Sequence, residues 1–351
     1  MGADDFDPDG VGINNGNYFG FPYGEEQAAL TLLSVPWDVT SSYGGGSAYA
    51  PDAIIEASTQ LDFHDPLCPD AWRAGIATIG IDYSIQDRSV RLRADARRVM
   101  QHLESGGTLL DELLLPRKLE RLNAASAELN RQVYEEAAER LRKGKIVGLV
   151  GGDHSTPFGL IRAVAEVHGP VGILHLDAHC DLRRAYEGFE WSHASIMYNV
   201  LEHIPGVERI VQVGVRDYSA AEAALAARSS RVELFGDAGL AAARFAGESW
   251  KESCARIVER LPQNVYISFD IDVLSPENCP STGTPVPGGL GYNEAVYLIA
   301  EVVAAGKRIA GFDLCEVVPS KEGEWDANVG ARVLFRLCGL ALRSAGVMEK
   351  G

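Results

Sequence analysis

Eight short runs, apolar on both faces and separated by segments of helical period, constrain this chain more than any other feature. They are Leu30–Pro36, Gly75–Ile81, Ile146–Val150, Val171–Leu176, Ile210–Val215, Val232–Phe235, Val265–Phe269 and Ile309–Phe312. Strands covered on both sides read as continuous apolar runs, and strand–helix alternation sets helices against both faces of a parallel sheet. Helices are expected at Gln132–Arg142, Phe158–Val167, Ser195–Leu201, Ser219–Ala227, Trp250–Leu261, Asn293–Ala304 and Val329–Arg343. In the first, Val133, Ala137, Ala138 and Leu141 share a face and the charges lie opposite. The predicted fold is α/β: a single-domain, three-layer α-β-α sandwich around a mainly parallel sheet. No linker-like stretch divides the chain. Residues 1–28, rich in Gly, Asp, Asn and aromatics without a period, are expected to form an N-terminal arm on the body or on a neighbouring subunit, leaving 29–351 as the domain. Ser105–Leu122 reads as a surface insertion.

Charge narrows the partners. The net charge of −17 repels nucleic-acid phosphates and anionic lipid, so neither nucleic acid nor membrane is expected as a partner. No apolar run is long enough to span a bilayer, and Met1–Asp5 lacks the basic, then apolar, pattern of a signal peptide. The six cysteines show no Cys-x-x-Cys spacing and read as reduced, buried thiols. A cytoplasmic protein is the expectation. Only 7 of 32 basic residues are Lys, which fits either a high-salt habitat or Arg-rich codon usage.

Chemistry gathers at strand ends, where open parallel sheets bind ligands. Ile146–Val150 runs into Gly151-Gly152-Asp153-His154-Ser155, and Val171–Leu176 into Asp177-Ala178-His179-Cys180-Asp181. Val265–Phe269 runs into Asp270-Ile271-Asp272, and Ile309–Phe312 into Asp313-Leu314-Cys315-Glu316. One such ending is ordinary helix capping; four on one rim are not. Asp177, His179 and Asp181 alternate, as do Asp270 and Asp272, so each set projects from one face of extended chain. With His154 they offer four carboxylates and two imidazoles. Buried together, those carboxylates would repel one another, and two divalent cations would neutralise them. Oxygen and nitrogen ligands without thiolate favour Mn²⁺, with Fe, Co, Ni or Zn also allowed. Such a centre makes hydroxide from water and polarises the group attacked, so hydrolysis is the expected reaction class. Gly44-Gly45-Gly46-Ser47 lacks the ending of a phosphate loop and reads as a tight turn into a helix at Pro51.

The segments Gly151–Ser155, Leu176–Asp181 and Ser268-Phe269-Asp270-Ile271-Asp272-Val273-Leu274 resemble the three signatures of the ureohydrolases, the arginase and agmatinase family. Thr282-Gly283-Thr284-Pro285 with Gly288-Gly289-Leu290 is similar to the family's following loop, and the resemblance runs from about Leu30 to Arg343. It implies one manganese held by His154, Asp177, Asp181 and Asp270, and a second by Asp177, His179, Asp270 and Asp272. Asp177 and Asp270 would bridge together with a hydroxide that Asp181 orients. Attack on a guanidinium carbon would release urea and an amine. By motif position His193 would relay a proton to the leaving amine, and Glu316 would grip the guanidinium through paired hydrogen bonds. Asp313 supports the site from behind or merely caps a helix. Cys180 reads as packing. Relatives form trimers or hexamers, so a homotrimer or homohexamer is implied.

Specificity is expected in the loop Leu182–Ser192. It departs from the Asn- and Ser/Thr-rich arginase pattern and looks more like agmatinase sequences. Agmatine, cleaved to putrescine and urea in polyamine biosynthesis, is the first expectation. Glu187 and Glu190 could attract its amine; Arg183 and Arg184 could instead pair with a carboxylate tail, as in guanidinobutyrate or formimidoylglutamate. Tyr18, Phe19, Phe21, Tyr23, Trp37 and Tyr43 could close the pocket around free guanidine or simply pack. Arginine as substrate, and a non-catalytic metal-binding protein, complete the alternatives.

Overall fold

A computed structural model describes residues 6–320 and 322–347; residues 1–5 of the expected arm and 348–351 of the expected domain lie outside it. Eight strands form one sheet: β1 (Leu30–Val35), β2 (Ile76–Thr78), β3 (Ile146–Gly151), β4 (Val171–Leu176), β5 (Val207–Val213), β6 (Val232–Phe235), β7 (Asn264–Asp270) and β8 (Arg308–Cys315). Their order is β2-β1-β3-β8-β7-β4-β5-β6, and every pairing is parallel. The four strands that run into acidic segments, β3, β8, β7 and β4, are therefore consecutive neighbours at the centre of the sheet.

Helices cover both faces. Against one lie α1 (Ala50–Ser58), α8 (Trp250–Glu259), α9 (Tyr292–Ala304) and α10 (Trp325–Ser344), with Ile54, Ile257, Leu298 and Leu337 in the core beneath them. Against the other lie α2 (Tyr83–Glu104), α3 (Leu115–Arg142), α4 (Phe158–His168) and α5 (Ile196–His203), burying Val99, Leu129, Ile161 and Val200. Helices α6 (Ala220–Arg228) and α7 (Asp237–Phe245) flank the β6 edge. The domain is a three-layer sandwich about an all-parallel sheet.

Three expectations need correction. The surface insertion ends early: residues 115–122 form the start of α3, where Leu115 and Leu122 are buried. Pro116 near the helix start, where no N–H partner is needed, made that stretch look like a loop. Second, β5 begins at Val207 and ends at Val213, because exposed Glu208 disguises its start and Gly214, at φ +91°, breaks it before Val215. Third, α2 and α7 were not foreseen. The Arg-rich α2 buries only a thin stripe including Leu92, Ala96 and Val99, and α7 buries only Leu240.

Residues 6–28 lie along the body. Tyr18, Phe19 and Phe21 are fully buried; Tyr18 Oη and Ser34 Oγ are 2.8 Å apart, and the Phe19 N–H donates to Ser58 Oγ at 2.7 Å. Trp37 is buried in the core on the opposite face of the sheet, Tyr23 packs against the cluster that holds Phe21, and Tyr43 is exposed; none of them lines the cavity described below.

Candidate metal centre and cavity

The central strand ends bring the six anticipated donors together. His154 follows β3, Asp177 follows β4, and Asp270 ends β7. His154 Nδ1 lies 2.9 Å from Asp177 Oδ2, 3.2 Å from Asp181 Oδ2 and 3.2 Å from Asp270 Oδ2. Three carboxylate oxygens thus surround one imidazole nitrogen. Beside them, His179 Nδ1 lies 3.0 Å from Asp272 Oδ2 and 3.4 Å from Asp177 Oδ1. Asp177 therefore contributes one oxygen to each cluster.

Main-chain hydrogen bonds fix these carboxylates. The Ala178 N–H donates to Asp272 Oδ1 at 2.9 Å, and the Asp272 N–H to Asp270 Oδ1 at 2.9 Å. Asp181 (φ +53°) and Glu316 (φ +61°) sit in the left-handed region, which costs a non-glycine residue energy, and both side chains meet His154.

All four aspartates are buried; against that burial, His175, His154 and His179 hold Asp177 well below the carboxylate range, whereas two others are raised. Burial first, then the charge of Asp177, pushes Asp181 up to about 6. Burial with Asp272 and Asp177 drives Asp270 well above the carboxylate range. Burial alone would push His154 down, but hydrogen bonds to Asp177, Asp181 and Asp270 outweigh it and raise it well above an ordinary histidine. Burial likewise opposes charge on His179, yet Asp272 and Asp177 lift it to about 12. Raised carboxyls packed against raised imidazoles mark a site rich in negative charge, which favours added positive charge. The donor set fits divalent cations: among the described residues, His154, His175, Asp177 and Asp181 form one oxygen-and-nitrogen cluster and Asp177, His179 and Asp272 an adjoining one that shares Asp177, while a third group, His154, Asp313 and Cys315, includes a thiol.

One donor escaped the sequence reading. His175, within β4, is fully buried with Nε2 2.9 Å from Asp177 Oδ2, while Gln212 Nε2 lies 3.0 Å from its Nδ1. A polar residue two positions before Asp177 in an apolar strand shares its face, and that was the available signal. Asp313 sits behind the cluster: it accepts from the Phe269 N–H at 3.2 Å and Ser268 Oγ at 3.3 Å, while Ser268 Oγ lies 2.9 Å from His154 Nε2. It is a buried support, not a helix cap. Cys180 is fully buried, and burial pushes its thiol well up.

Above the donors a cavity of about 160 Å³ opens between Ser42, His179, Asp181, Arg183, His193 and Glu222. Larger hollows exist, such as one of about 700 Å³ along Pro205–Arg209 and Glu259–Pro262, but that one lies at the amino ends of β5 and β7. His193 reaches the cavity; burial, then the neighbouring His179 and His154, push its imidazole down to about 3. Its main-chain N–H donates to Thr40 Oγ1 at 3.2 Å, and that hydroxyl donates to buried Asp153 at 3.0 Å. Glu316 is buried beside His154, and burial with Asp153 raises its carboxyl well above normal. Glu190 is exposed, and neither it nor Glu187 lines the cavity; Asp217 and Glu222, outside the expected loop, do.

A sequence profile of the Arginase family matches residues 28–339. The chain belongs to the arginase family. It is 32% identical over 333 residues to an N(1)-aminopropylagmatine ureohydrolase of Thermus thermophilus, covering 94% of this chain and 95% of that one. It is 26% identical over 318 residues to an agmatinase of Pyrococcus horikoshii, covering 91% and 94%. Among solved structures, a hypothetical agmatinase from Burkholderia thailandensis superposes with a TM-score of 0.70 at 21% identity, over 98% of this chain and 99% of that one. Proclavaminate amidino hydrolase from Streptomyces clavuligerus does so at 0.70 and 22%, over 95% and 99%. These likenesses share the fold, and the family places this arginase-family chain among the hydrolases of carbon–nitrogen bonds. No helix among the described residues is long and apolar enough to cross a membrane.

Proposed function

We propose that this arginase-family member is a two-manganese hydrolase that releases urea from agmatine, leaving putrescine. The observation that carries the reading is the meeting of Asp177, Asp181 and Asp270 at His154 Nδ1, all within 3.2 Å, beside a second His–Asp cluster. His154, Asp177, Asp181 and Asp270 would hold one ion, and Asp177, His179, Asp270 and Asp272 the other. A bound ion pair supplies a water of lowered pKa and polarises the attacked carbon.

The chain's own groups do the rest. Glu316, fixed by the His154 N–H at 2.9 Å, accepts hydrogen bonds from the guanidinium and holds its plane over the metal centre. Asp181 accepts a hydrogen bond from the attacking water and orients it. His193, in the cavity wall, would relay a proton from the attacking water to the departing amine nitrogen. The names of the ureohydrolase and agmatinase relatives support a linear guanidino amine as substrate.

A carboxylate-tailed substrate such as guanidinobutyrate is the second reading, favoured by Arg183 in the cavity wall. The test is urea release by protein reconstituted with Mn²⁺, and separately with Ni²⁺, Co²⁺ or Fe²⁺, on agmatine, guanidinobutyrate, arginine, formimidoylglutamate and guanidine; formimidoylglutamate is scored by formamide. Agmatine turnover with Mn²⁺ supports the first reading. Silence on every compound with metal fully bound rejects it in favour of a non-catalytic metal protein.

A further inference from the structure

Two features of the cavity wall would together seat a cation: the face of Tyr186 and the carboxylate of Glu222. Both are already engaged by a side chain of this protein. The Arg183 guanidinium carbon lies 4.9 Å from the Tyr186 ring centroid, and Arg183 Nε lies 3.6 Å from Glu222 Oε2. An aromatic face and a carboxylate are the usual partners of an ammonium or guanidinium group.

Glu222 is held in place independently of Arg183. It belongs to the capping box of α6: its Oε2 accepts from the Ser219 N–H at 2.9 Å and Ser219 Oγ at 2.7 Å, and its Oε1 accepts from the Leu182 N–H at 3.2 Å. Its side chain is 5% exposed, against 39% for Arg183. The carboxylate is thus fixed by helix capping, whereas Arg183 is the exposed, replaceable half of the pair. Tyr186 is fixed too, in a tight turn closed by its N–H donating to Phe189 O at 3.2 Å, with Glu187 at φ +53° and Gly188 at φ +84°.

We infer that Arg183 sets the charge of the substrate tail that this cavity accepts, by occupying a cation seat made of Tyr186 and Glu222. It competes with a cationic tail and offers its remaining N–H donors to an anionic one. The inference rests on the guanidino-hydrolase reading and bears on its choice of tail: with Arg183 seated, an anionic tail such as that of guanidinobutyrate, the second reading above, gains over the amine of agmatine, while the guanidino head is handled elsewhere.

The experiment compares Arg183→Met and Arg183→Lys with the unaltered chain, all reconstituted with Mn²⁺. Three compounds share a head and differ in tail charge: agmatine, butylguanidine and 4-guanidinobutyrate. The quantity read is the ratio of kcat/KM for agmatine to that for butylguanidine, which cancels any general damage to the reacting centre. Arg183→Met is expected to raise it about tenfold, as the vacated aromatic face and carboxylate take the amine. It is also expected to lower the guanidinobutyrate-to-butylguanidine ratio by about as much. Arg183→Lys, which keeps the charge, is expected to stay within about threefold of the parent. An agmatine ratio unchanged by Arg183→Met, or shifted toward guanidinobutyrate, overturns the inference. If the parent chain hydrolyses none of the three, it is the hydrolase reading that fails. Calorimetric affinities of the same metal-loaded proteins for agmatine and guanidinobutyrate then decide the role of Arg183 by the same ratio.

Discussion

The main-chain N–H of His154 donates to Glu316 Oε1 at 2.9 Å, and the Glu316 N–H returns a bond to Gly152 O at 2.9 Å. This reciprocal pair locks the end of β8 to the loop after β3, joining the expected guanidinium acceptor to an expected metal ligand. The same Gly152 also packs tightly on the segment after β1, where a Cβ would stand 1.9 Å from Trp37 O. Glu316→Gln keeps an oxygen for the His154 N–H but removes the charge a guanidinium would meet. Metal content is expected to hold while kcat/KM falls by about 10²-fold, the value of a lost charge-assisted bond. Steady-state urea assays beside metal analysis check both halves; an unchanged kcat/KM removes Glu316 from substrate binding.

Asp177 faces both donor clusters, through Oδ2 toward His154 and Oδ1 toward His179. Asp177→Ala is expected to lower bound metal and turnover together, by more than the roughly 10–100-fold typical of losing a mere supporting partner. Elemental analysis after equilibration with Mn²⁺ gives the loading. Full activity in this variant, or in Asp270→Ala, would sink the shared-ligand arrangement.

Thr40 ties His193 to Asp153 through one hydroxyl, accepting from the His193 N–H and donating to the carboxylate. Thr40→Val keeps the shape and deletes both bonds, each worth about 1 kcal/mol. The expected result is a lower kcat with KM nearly unmoved, and faster amide exchange at residues 192–195. Thr40→Ser should restore both. Equal exchange in the valine variant would show that Thr40 does not position His193.

His193 should stay neutral through about pH 5 to 9, since burial and the nearby His179 and His154 hold it far below an ordinary histidine. A depressed histidine favours the folded state above its unfolded value near 6.5, and that contribution is lost as pH falls toward 3. Nitrogen-15 NMR of the imidazole during a pH titration checks this; a midpoint near 6.5 would contradict it. His193→Ala is expected to retain metal yet lose about 10²–10⁴-fold in kcat, the usual worth of a positioned proton carrier.

Much of this was legible from local pattern. Asp177, His179 and Asp181 stood out because alternate residues of an extended chain share a face, and Asp270 and Asp272 for the same reason. His175 obeys the same rule, but the apolar strand around it masks the signal. α2 escaped notice since a helix packed by a thin stripe shows a weak period. Glu187 and Glu190 looked like tail readers because they sit in the right loop. Loop membership says nothing of direction: Glu190 faces solvent, while Asp217 and Glu222 arrive at the cavity from the segment after β5.

The sequence by itself determined the α/β class and the family, and singled out the side chains proposed to carry the chemistry, because these depend on short-range periodicity and on motifs a few residues long. Only the tertiary structure decided that β3, β8, β7 and β4 are neighbours, so that donors from His154 to Glu316 meet within hydrogen-bonding distance. It alone set Arg183 between Tyr186 and Glu222. The reason is physical: strand order and loop direction follow from burying apolar faces on both sides of one sheet, a property of the whole chain that no local stretch encodes.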